Sequence, residues 1–231
     1  MPHKHFELAN KDVYLYRQIS STNNVARYYA INGARHGTIV MSSLQTAGRG
    51  RMKRQWECPL GRGILMSLIA RPKISAQYLP QLTLLSAVVV ADAIKSCTNC
   101  PAQIKWPNDI VIEDKKVCGI LAESSFSGLN LDYVIIGIGI NVNQDFEELP
   151  PDCLTTSTSL KIEVGHRVSR SKLLKHLVMS WDQHYPQFAA QGHDYLRQSW
   201  LKNNVTVGRY VSLNKGDEII TGEAVDISAQ G

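Results

Sequence analysis

Positive charge is concentrated in one short stretch of this 231-residue chain, GRGRMKRQW at positions 48–56. Four of its nine residues are cations, two are glycines, and a tryptophan ends it. Arginine forms paired hydrogen bonds with phosphate oxygens, and glycine lets a loop approach a ligand closely. Three interpretations fit this composition. The stretch grips a nucleic-acid backbone, closes over a small polyanion such as a nucleotide, or is an ordinary solvated loop.

Two lysines accompany polar turn residues further along the chain. Lys105 lies in KWPND, which ends at Asp109, and Lys116 lies in KKVCGIL. A lysine in or beside an apolar strand needs a counter-charge, so the pattern indicates either an anionic ligand or a structural pair of the Lys105–Asp109 type.

Two more stretches have polar or small residues in places that a fold alone does not require. SSTN at residues 20–23 suits a helix cap, which is the simplest interpretation of it. IGIGINVN has two glycines inside a buried strand, where they weaken the strand unless a ligand or another element comes close. The alternative for these glycines is tight packing of a helix on a sheet.

Several classes of protein are disfavoured by what the sequence lacks. It has no Gly-x-Ser-x-Gly motif and no phosphate-binding Gly-Lys-Ser/Thr loop, which argues against the commonest hydrolases and nucleotidases. IGIGINVN lacks the third glycine of a dinucleotide fingerprint. Cys97 and Cys100 form a single pair with no second pair at zinc spacing, so we expect no metal site built from protein side chains alone.

The composition is typical of a globular protein, with 44% hydrophobic residues, 19% charged residues and a net charge of +5. The first twelve residues contain no apolar segment of the secretory type, and the apolar run SAVVVADAI is short and contains an aspartate. We therefore expect no membrane span. Five cysteines without a secretion signal indicate reduced thiols and a cytoplasmic protein.

Hydrophobic periodicity predicts the elements that position these stretches. We expect a helix from about Asn23 to Gly33, strands in GTIVMSSLQ and GILMSLIAR, and a helix over residues 75–97. Residues 102–125 are predicted to form three strands separated by turns, and DYVIIGIGINVN a further buried strand. After a loop at 145–160, the pattern predicts a long helix, a shorter helix and then short strands with glycine turns, as in a small barrel.

In this order, STN, LQTAGRGR, KWPND, KVCGILAE and IGIGINVN resemble the catalytic domain of the bacterial biotin–protein ligases, over about residues 12–231. The resemblance implies an α/β (α+β) fold of the class II synthetase and biotin ligase type, with helices packed on a mixed β-sheet and a small SH3-like barrel at the C-terminus. It divides the chain into a catalytic domain at 1–204 and an apparently incomplete SH3-like domain at 205–231.

The resemblance also implies a two-step reaction. Biotin and ATP, with Mg²⁺, form biotinyl-5′-adenylate and pyrophosphate. A lysine of a carrier domain, such as the biotin carboxyl carrier of acetyl-CoA carboxylase, then attacks the adenylate. Because the biotin carboxylate and the phosphates repel one another, cations are needed to bring them together. The catalytic residues expected on this basis are Arg49, Arg51, Lys105, Asp109 and Lys116.

The remaining site residues are assigned by their position in the family motifs. The biotin pocket is expected to contain Ser21, Thr22, Asn23, Gln45, Gly48, Arg49, Gly50, Arg51, Lys116, Gly119, Leu121, Gly137 and Gly139. The nucleotide is expected to contact Arg51, Trp56, Asn108, Lys116 and Asn141. The chain departs from the family at Lys53, where a glycine is common, and this bears on how the basic loop closes.

Two rival functions stay open. A lipoate ligase or octanoyl transferase shares the fold and the acyl transfer to lysine. A nucleic-acid-binding module is suggested by the arginines, although the net charge is modest and the cations are not interleaved with aromatic residues. Larger members of the family carry an N-terminal repressor domain, for which about eleven residues leave no room, so we expect no DNA partner. Whether the protein is a homodimer stays open.

Overall fold

The structure of the protein is a computed structural model that describes residues 3–216 and 218–231. Ten strands and five α-helices lie in this part of the chain. The strands are β1 (His3–Leu8), β2 (Lys11–Tyr16), β3 (Ile39–Ser42), β4 (Ile64–Ala70), β5 (Gln103–Lys105), β6 (Asp109–Ile112), β7 (Lys115–Ser127), β8 (Asn130–Ile140), β9 (Tyr210–Lys215) and β10 (Glu218–Glu223). The helices are α1 (Thr22–Ile31), α2 (Pro80–Thr98), α3 (Leu160–Val164), α4 (Arg170–Gln191) and α5 (His193–Leu201).

Eight of the strands form one sheet in the order β1-β2-β3-β4-β8-β7-β6-β5. Strands β2 and β3 are parallel, and the other neighbouring pairs are antiparallel. The predicted mixed sheet is therefore confirmed. The N-terminal hairpin β1–β2 was not predicted. Its strand β2 pairs with β3, and β1 forms the edge of the sheet next to β2.

Residues of β8 alternate between two layers, as the twofold side-chain period of a strand requires. Its even-numbered residues, from Val134 to Ile140, pack in the main core with α2, α4 and α5. Its odd-numbered residues Tyr133 and Ile135 belong to a second core with α1. The next odd positions are Gly137 and Gly139, which have no side chain to fill this face. The open face beside α1 is where the site lies.

Helix α2 is the central helix of the main core. Together with the short turn before it, over Ala76–Thr98, it is long and apolar enough to cross a membrane by length and composition alone. However, 67% of its most apolar window is buried inside the fold, where it packs against the sheet, α4 and α5. This burial is that of a core helix, whose apolar residues pack against other parts of the protein.

A buried polar group connects the three helices of this layer. His184 of α4 places Nδ1 2.7 Å from the Tyr195 hydroxyl of α5 and Nε2 2.8 Å from Asp92 Oδ2 of α2. Asn203 donates a hydrogen bond to Asp92 Oδ1 at 3.0 Å, and Lys95 donates one to Asn203. Burial opposes ionisation of Asp92, but the hydrogen bonds from His184 and Asn203 outweigh it and hold the pKa of this carboxyl below its usual value.

The C-terminal segment forms a two-stranded antiparallel sheet, β9–β10, within the described residues. It is consistent with part of the expected small barrel, but it is not closed. Backbone hydrogen bonds from Ile104 to Asn203 and from Val205 to Ile104 join the start of this segment to β5. The division into domains at 1–204 and 205–231 stays a prediction.

Candidate active site

A cavity of about 660 Å³ opens on the α1 face of the sheet. It brings together every residue assigned to the site from the sequence except Gly48. These residues come from the start of α1, the basic stretch, the turn between β5 and β6, and strands β7 and β8. They are Ser21, Thr22, Asn23, Gln45, Arg49, Gly50, Arg51, Trp56, Lys105, Asn108, Asp109, Lys116, Gly119, Leu121, Gly137, Gly139 and Asn141.

Three glycines form the floor of the cavity, and large side chains lie directly on them. A Cβ at Gly137 would stand 2.4 Å from Asn23 Oδ1, and one at Gly139 would stand 2.5 Å from the indole of Trp56. A Cβ at Gly119 would meet the same indole at 2.9 Å and Lys116 Nζ at 3.3 Å. The glycines are therefore needed because side chains must approach the strand backbone here, as the sequence suggested.

One end of the cavity is a corner of uncharged polar groups. Gln45 Oε1 accepts hydrogen bonds from the backbone N–H of Thr22 at 2.6 Å and from its hydroxyl at 3.0 Å. The Ser67 hydroxyl of β4 lies 2.7 Å from Thr22 Oγ1 and 2.6 Å from Asn23 Oδ1. The helix-cap interpretation of SSTN holds for position only. Ser21 occupies the N-cap position of α1, but its side chain forms no capping hydrogen bond.

The basic stretch forms a closed hairpin rather than an open loop. The backbone N–H of Trp56 donates to Gly48 O at 3.1 Å, and that of Gly50 donates to Arg54 O at 2.8 Å. Gly48 lies outside the cavity lining, and its Cβ would stand 2.3 Å from Trp56 O, so this glycine allows the two hairpin arms to meet. At the tip, Met52 is left-handed (φ 53°) and 83% exposed. The side chain of Lys53 lies outside the described part of the structure.

The two arginines of the hairpin have different partners. Arg51 donates a hydrogen bond to Asn108 Oδ1 at 3.1 Å, and Asn108 in turn donates to Ile120 O at 2.9 Å. Arg49 points the other way, with Nη2 3.0 Å from Glu123 Oε2. The hairpin therefore bridges the turn before β6 and the far part of β7.

Lys116 and Asp109 form an ion pair at the other end of the cavity floor. Lys116 Nζ lies 2.7 Å from Asp109 Oδ1 and 5.7 Å from the centre of the Trp56 ring. Asp109 Oδ1 is buried and accepts no hydrogen bond, so the contact with the ammonium is electrostatic rather than a directed hydrogen bond. Lys105 is exposed. The structural lysine–carboxylate pair that the sequence left open is therefore formed, with Lys116 rather than Lys105 as the ion-pair partner of Asp109.

A bulge in β7 explains why Lys116 faces the cavity. Simple alternation along the strand would place Lys116 and Gly119, which are three residues apart, on opposite faces of the sheet. Opposite β6, Asp109 pairs with Gly119 but Val111 pairs with Lys116, so the register shifts between these pairs. The extra residue in β7 turns the lysine to the cavity side of the sheet.

Two other polar groups near the site are the Asn141 amide, which has hydrogen-bond partners within the protein, and the Cys118 thiol, which burial keeps protonated. Asn141 donates to Thr158 O at 3.1 Å and accepts from Gln144 at 2.8 Å, so its amide holds the end of β8 in place. Burial raises the pKa of the Cys118 thiol, which makes it a poor nucleophile. In residues 3–216 and 218–231, no group of three or more His, Cys, Asp or Glu side chains is placed to hold a metal ion.

Sequence reasoning missed two polar residues next to the cavity. Ser67 is fully buried, and Glu123 contacts Asn23 and Arg49 from the far part of β7. A serine inside the apolar run GILMSLIAR was a usable signal, because a buried hydroxyl needs a partner. Glu123 lies at the end of a recognised motif, but its partners lie 74 and 100 residues away, so no local pattern identified them.

The sheet, the glycine floor and the cations define an α/β domain of the kind that binds a small anionic ligand. Residues 14–141, more than half of the chain, match the biotin/lipoate A/B protein ligase family, and the chain belongs to that family.

Similar proteins include the bifunctional ligase/repressor BirA of Bacillus subtilis, 38% identical over 213 residues that cover 92% of this chain and 66% of the relative. The chain thus spans slightly less than two thirds of that protein. The biotin–[acetyl-CoA-carboxylase] ligase of Paracoccus denitrificans is 33% identical over 181 residues, 77% of this chain and 75% of the relative. The structure of the biotin protein ligase of Aquifex aeolicus in complex with biotin and ATP superposes with a TM-score of 0.81 at 28% identity, covering 94% of this chain and 88% of that one.

Proposed function

We propose that this protein is a biotin–protein ligase, which activates biotin with ATP to biotinyl-5′-AMP and transfers the biotinyl group to a lysine of a carrier domain. The observation that carries the proposal is the order of groups along the cavity floor. Uncharged polar groups meet at Gly137. Two residues further along the strand, an indole covers Gly139 and its cross-strand partner Gly119, and a cation stands beside Gly119. This order suits a ligand with a polar neutral head, an apolar middle and an anionic end, which is the chemistry of biotin.

The dimensions of the floor agree with this assignment. Gly137 pairs with Leu121 and Gly139 with Gly119, so the two glycine positions lie two residues apart along the strands. Two strand residues correspond to about 7 Å, roughly the length of a short hydrocarbon chain. The ureido ring would bond to Thr22, Asn23 and Gln45. The indole of Trp56, which itself lies on the glycine floor, would be the apolar surface against which the carbon chain packs.

In the first step a biotin carboxylate oxygen attacks the α-phosphorus of ATP, and pyrophosphate leaves. Lys116 stands where both anions must meet, so its ammonium would neutralise the carboxylate and the phosphate oxygens during the attack. Arg51, fixed by Asn108, would hold phosphate oxygens with its planar guanidinium group. Arg49 is already paired with Glu123, and we assign it to the position of the hairpin rather than to the phosphates.

In the second step the amine of the carrier lysine attacks the acyl carbon, the carbon–oxygen bond to AMP breaks, and an amide forms. The incoming lysine must lose a proton first, since its ordinary pKa of about 10.4 keeps it a cation at neutral pH. Asp109, held next to Lys116, is the carboxylate we assign to receive and orient this amine. Exposed Lys105 lies at the entrance of the same turn.

Magnesium is included in the proposal as the companion of ATP. Asp109 is a carboxylate in the cavity, but the described side chains provide no cluster of three ligands, so the phosphates and water would supply most of the oxygen ligands that Mg²⁺ prefers. Bound there, Mg²⁺ would withdraw charge from the phosphates. The protein's own part is to present Arg51 and Lys116 on either side of them.

The further parts of the proposal concern partners and place. We propose a biotin carboxyl carrier domain of acetyl-CoA carboxylase as the acceptor and the cytoplasm as the location. Five free cysteines, none of them in a disulfide, agree with a reducing compartment.

Thermal melting with candidate ligands is the first test. Biotin together with ATP should raise the melting temperature, because a ligand that binds only the folded state stabilises it. The activity test is biotin-dependent exchange of pyrophosphate into ATP, followed by biotin transfer to a carrier domain. A melting shift with lipoate or RNA but none with biotin would overturn the proposal in favour of one of the two rival functions.

A further inference from the structure

Glu123 lies on the cavity side of β7, one strand position beyond the cavity floor. Gly119, Leu121 and Glu123 alternate along the strand and so share a face. Glu123 pairs in register with Ile135 of β8, and this is the next pair after Leu121–Gly137 on the same face of the sheet. It is not part of the cavity lining, so it does not meet a ligand lying on the floor.

The carboxylate of Glu123 joins the two walls of the cavity. Its Oε2 accepts a hydrogen bond from Asn23 Nδ2 of α1 at 2.7 Å. Arg49 Nη2 of the basic hairpin lies 3.0 Å from Oε2 and 3.1 Å from Oε1. On the outer side Arg27 approaches Oε2 at 3.5 Å. One side chain therefore contacts both the polar corner and the hairpin that carries Arg51.

These contacts fix the orientation of Asn23 as well as the place of the hairpin. The Asn23 oxygen faces the Ser67 hydroxyl at 2.6 Å, and its nitrogen faces Glu123, so both ends of the amide are determined. Arg49 has its charge balanced by Glu123 and a second hydrogen bond to Asn24 Oδ1 at 2.9 Å. A movement of Asn23 would displace the Glu123 carboxylate and, through it, Arg49. Because Arg51 is only two residues from Arg49, the same movement would displace the arginine assigned to the phosphates.

We propose that Glu123 is a positioning residue that couples occupancy of the polar corner to closure of the basic hairpin over the adenylate. This inference rests on the proposed function and adds the route by which the ring of biotin controls retention of the intermediate. Glu123 acts through Asn23 and Arg49, and it touches no reacting atom. Its negative charge is the essential property, since an amide would keep the bond with Asn23 but not the ion pair with Arg49.

The test compares Glu123→Gln, Arg49→Gln, the double variant and Arg27→Gln. The measured quantities are the rate at which free biotinyl-adenylate leaves the enzyme without a carrier and the KM for biotin and for ATP in pyrophosphate exchange. Glu123→Gln should release adenylate about tenfold faster, because one charge-assisted contact is lost, while the KM for ATP stays within about twofold. Arg27→Gln is the matched control, since it removes a cation from the same carboxylate on the outer side, and it should stay within about twofold of wild type.

The double variant decides whether Glu123 acts through Arg49. If it does, the double variant should release adenylate no faster than Arg49→Gln alone. If the effects of the two single substitutions on the release rate add in the double variant, or if Arg27→Gln speeds release as much as Glu123→Gln does, the inference is overturned. The proposed function still stands in that case, provided that the wild type catalyses biotin-dependent pyrophosphate exchange. If Glu123→Gln does not fold, as judged by melting, Arg49→Gln alone must still speed release, and a normal release rate would overturn the inference. Absence of biotin-dependent exchange in the folded wild type would overturn the proposed function and this inference with it.

Discussion

Lys116 Nζ lies 2.7 Å from Asp109 Oδ1, so the two side chains assigned to different half-reactions are in direct contact. The ammonium of Lys116 balances the charge of the Asp109 carboxylate. An arriving carboxylate or phosphate competes with Asp109 for the same ammonium. Because the two side chains are in contact, a substitution of one also changes the surroundings of the other, so both half-reactions must be measured in each variant.

Lys116→Gln should slow biotin-dependent pyrophosphate exchange by roughly ten- to a thousandfold, which corresponds to about 1.4–4 kcal/mol of transition-state stabilisation. The cause is the loss of the cation that stands between two anions. Steady-state exchange at saturating biotin and ATP measures it. Lys115→Gln removes an exposed neighbouring charge that does not line the cavity and should leave exchange unchanged.

Asp109→Asn should leave pyrophosphate exchange largely intact and slow single-turnover transfer of biotin from preformed adenylate to a carrier domain. An amide cannot take up the proton of the incoming ammonium at neutral pH. Rapid quenching with labelled adenylate measures the transfer. Equal loss of exchange in this variant and in Lys116→Gln would mean that Asp109 serves the nucleotide or its metal instead.

Arg51→Gln should shorten the time for which the enzyme keeps its intermediate. One charge-assisted phosphate contact contributes roughly 1.5–3 kcal/mol, so free biotinyl-adenylate should leave about ten- to a hundredfold faster. Filtration of the enzyme–adenylate complex over time measures its loss. Arg17→Gln, an exposed arginine that does not line the cavity, is the control. An unchanged release rate in Arg51→Gln would show that this arginine does not retain the adenylate.

Gly137→Ala should raise the KM for biotin at least about tenfold while the KM for ATP changes little. The added Cβ would stand 2.4 Å from Asn23 Oδ1, so Asn23 must leave its place against Ser67 and Glu123. Overpacking of this kind typically costs about 1–3 kcal/mol. Gly222→Ala is the matched control, because nothing lies within 4 Å of its Cβ position. Normal biotin affinity in Gly137→Ala would contradict the assignment of Asn23 to the ring.

The Asp92–His184 contact should make the stability of the helical layer sensitive to acid. Because the folded-state pKa of Asp92 lies below its usual value of about 3.8, its stabilising effect is complete above that value and is lost as the pH falls through the folded pKa. The free energy of unfolding of wild type should therefore fall more steeply below about pH 4 than that of Asp92→Asn. Urea titrations at a series of pH values between about 2.5 and 6 measure the free energy of unfolding of both proteins. Exposed Asp152→Asn serves as the control, and identical acid profiles for wild type and Asp92→Asn would contradict the prediction.

Periodicity was sufficient for the elements with a strong apolar pattern. The helix expected over 75–97 occurs as α2, which begins at Pro80 after a short turn at Ala76–Tyr78, and the buried strand that contains the start of IGIGINVN occurs as β8. Both have sequences that are apolar on the sides that pack. Hairpin β1–β2 escaped prediction since all but one residue of β1 are exposed and leave no apolar face to detect. The short helix α3, directly after the expected loop, was not predicted either. Only Leu160 in it is buried, so its sequence has no apolar periodicity to detect.

The site was predictable as a set of residues but not as a set of contacts. The residues taken from the motifs line the cavity, with Gly48 as the exception, because the motifs lie on strands, on turns or at a helix start that face it. The partner of Asp109 could not be predicted, because it depends on a bulge in β7 that alternation along the strand does not show. Ser67 in its apolar strand indicates that a hydroxyl needs a partner, but the sequence does not show that the partners are Thr22 and Asn23 of α1.

The position of Trp56 on the glycine floor gives the protein an optical reporter. Of its four tryptophans, Trp56 and Trp106 line the cavity, whereas Trp181 and Trp200 are buried in the helical layer. An indole lodged between a lysine ammonium and a strand backbone changes its emission when either neighbour moves. Fluorescence of the unlabelled protein can therefore follow ligand entry in real time, with Trp181 and Trp200 as a constant background. Comparison of Trp56→Phe with Trp106→Phe assigns the signal to one of the two cavity tryptophans.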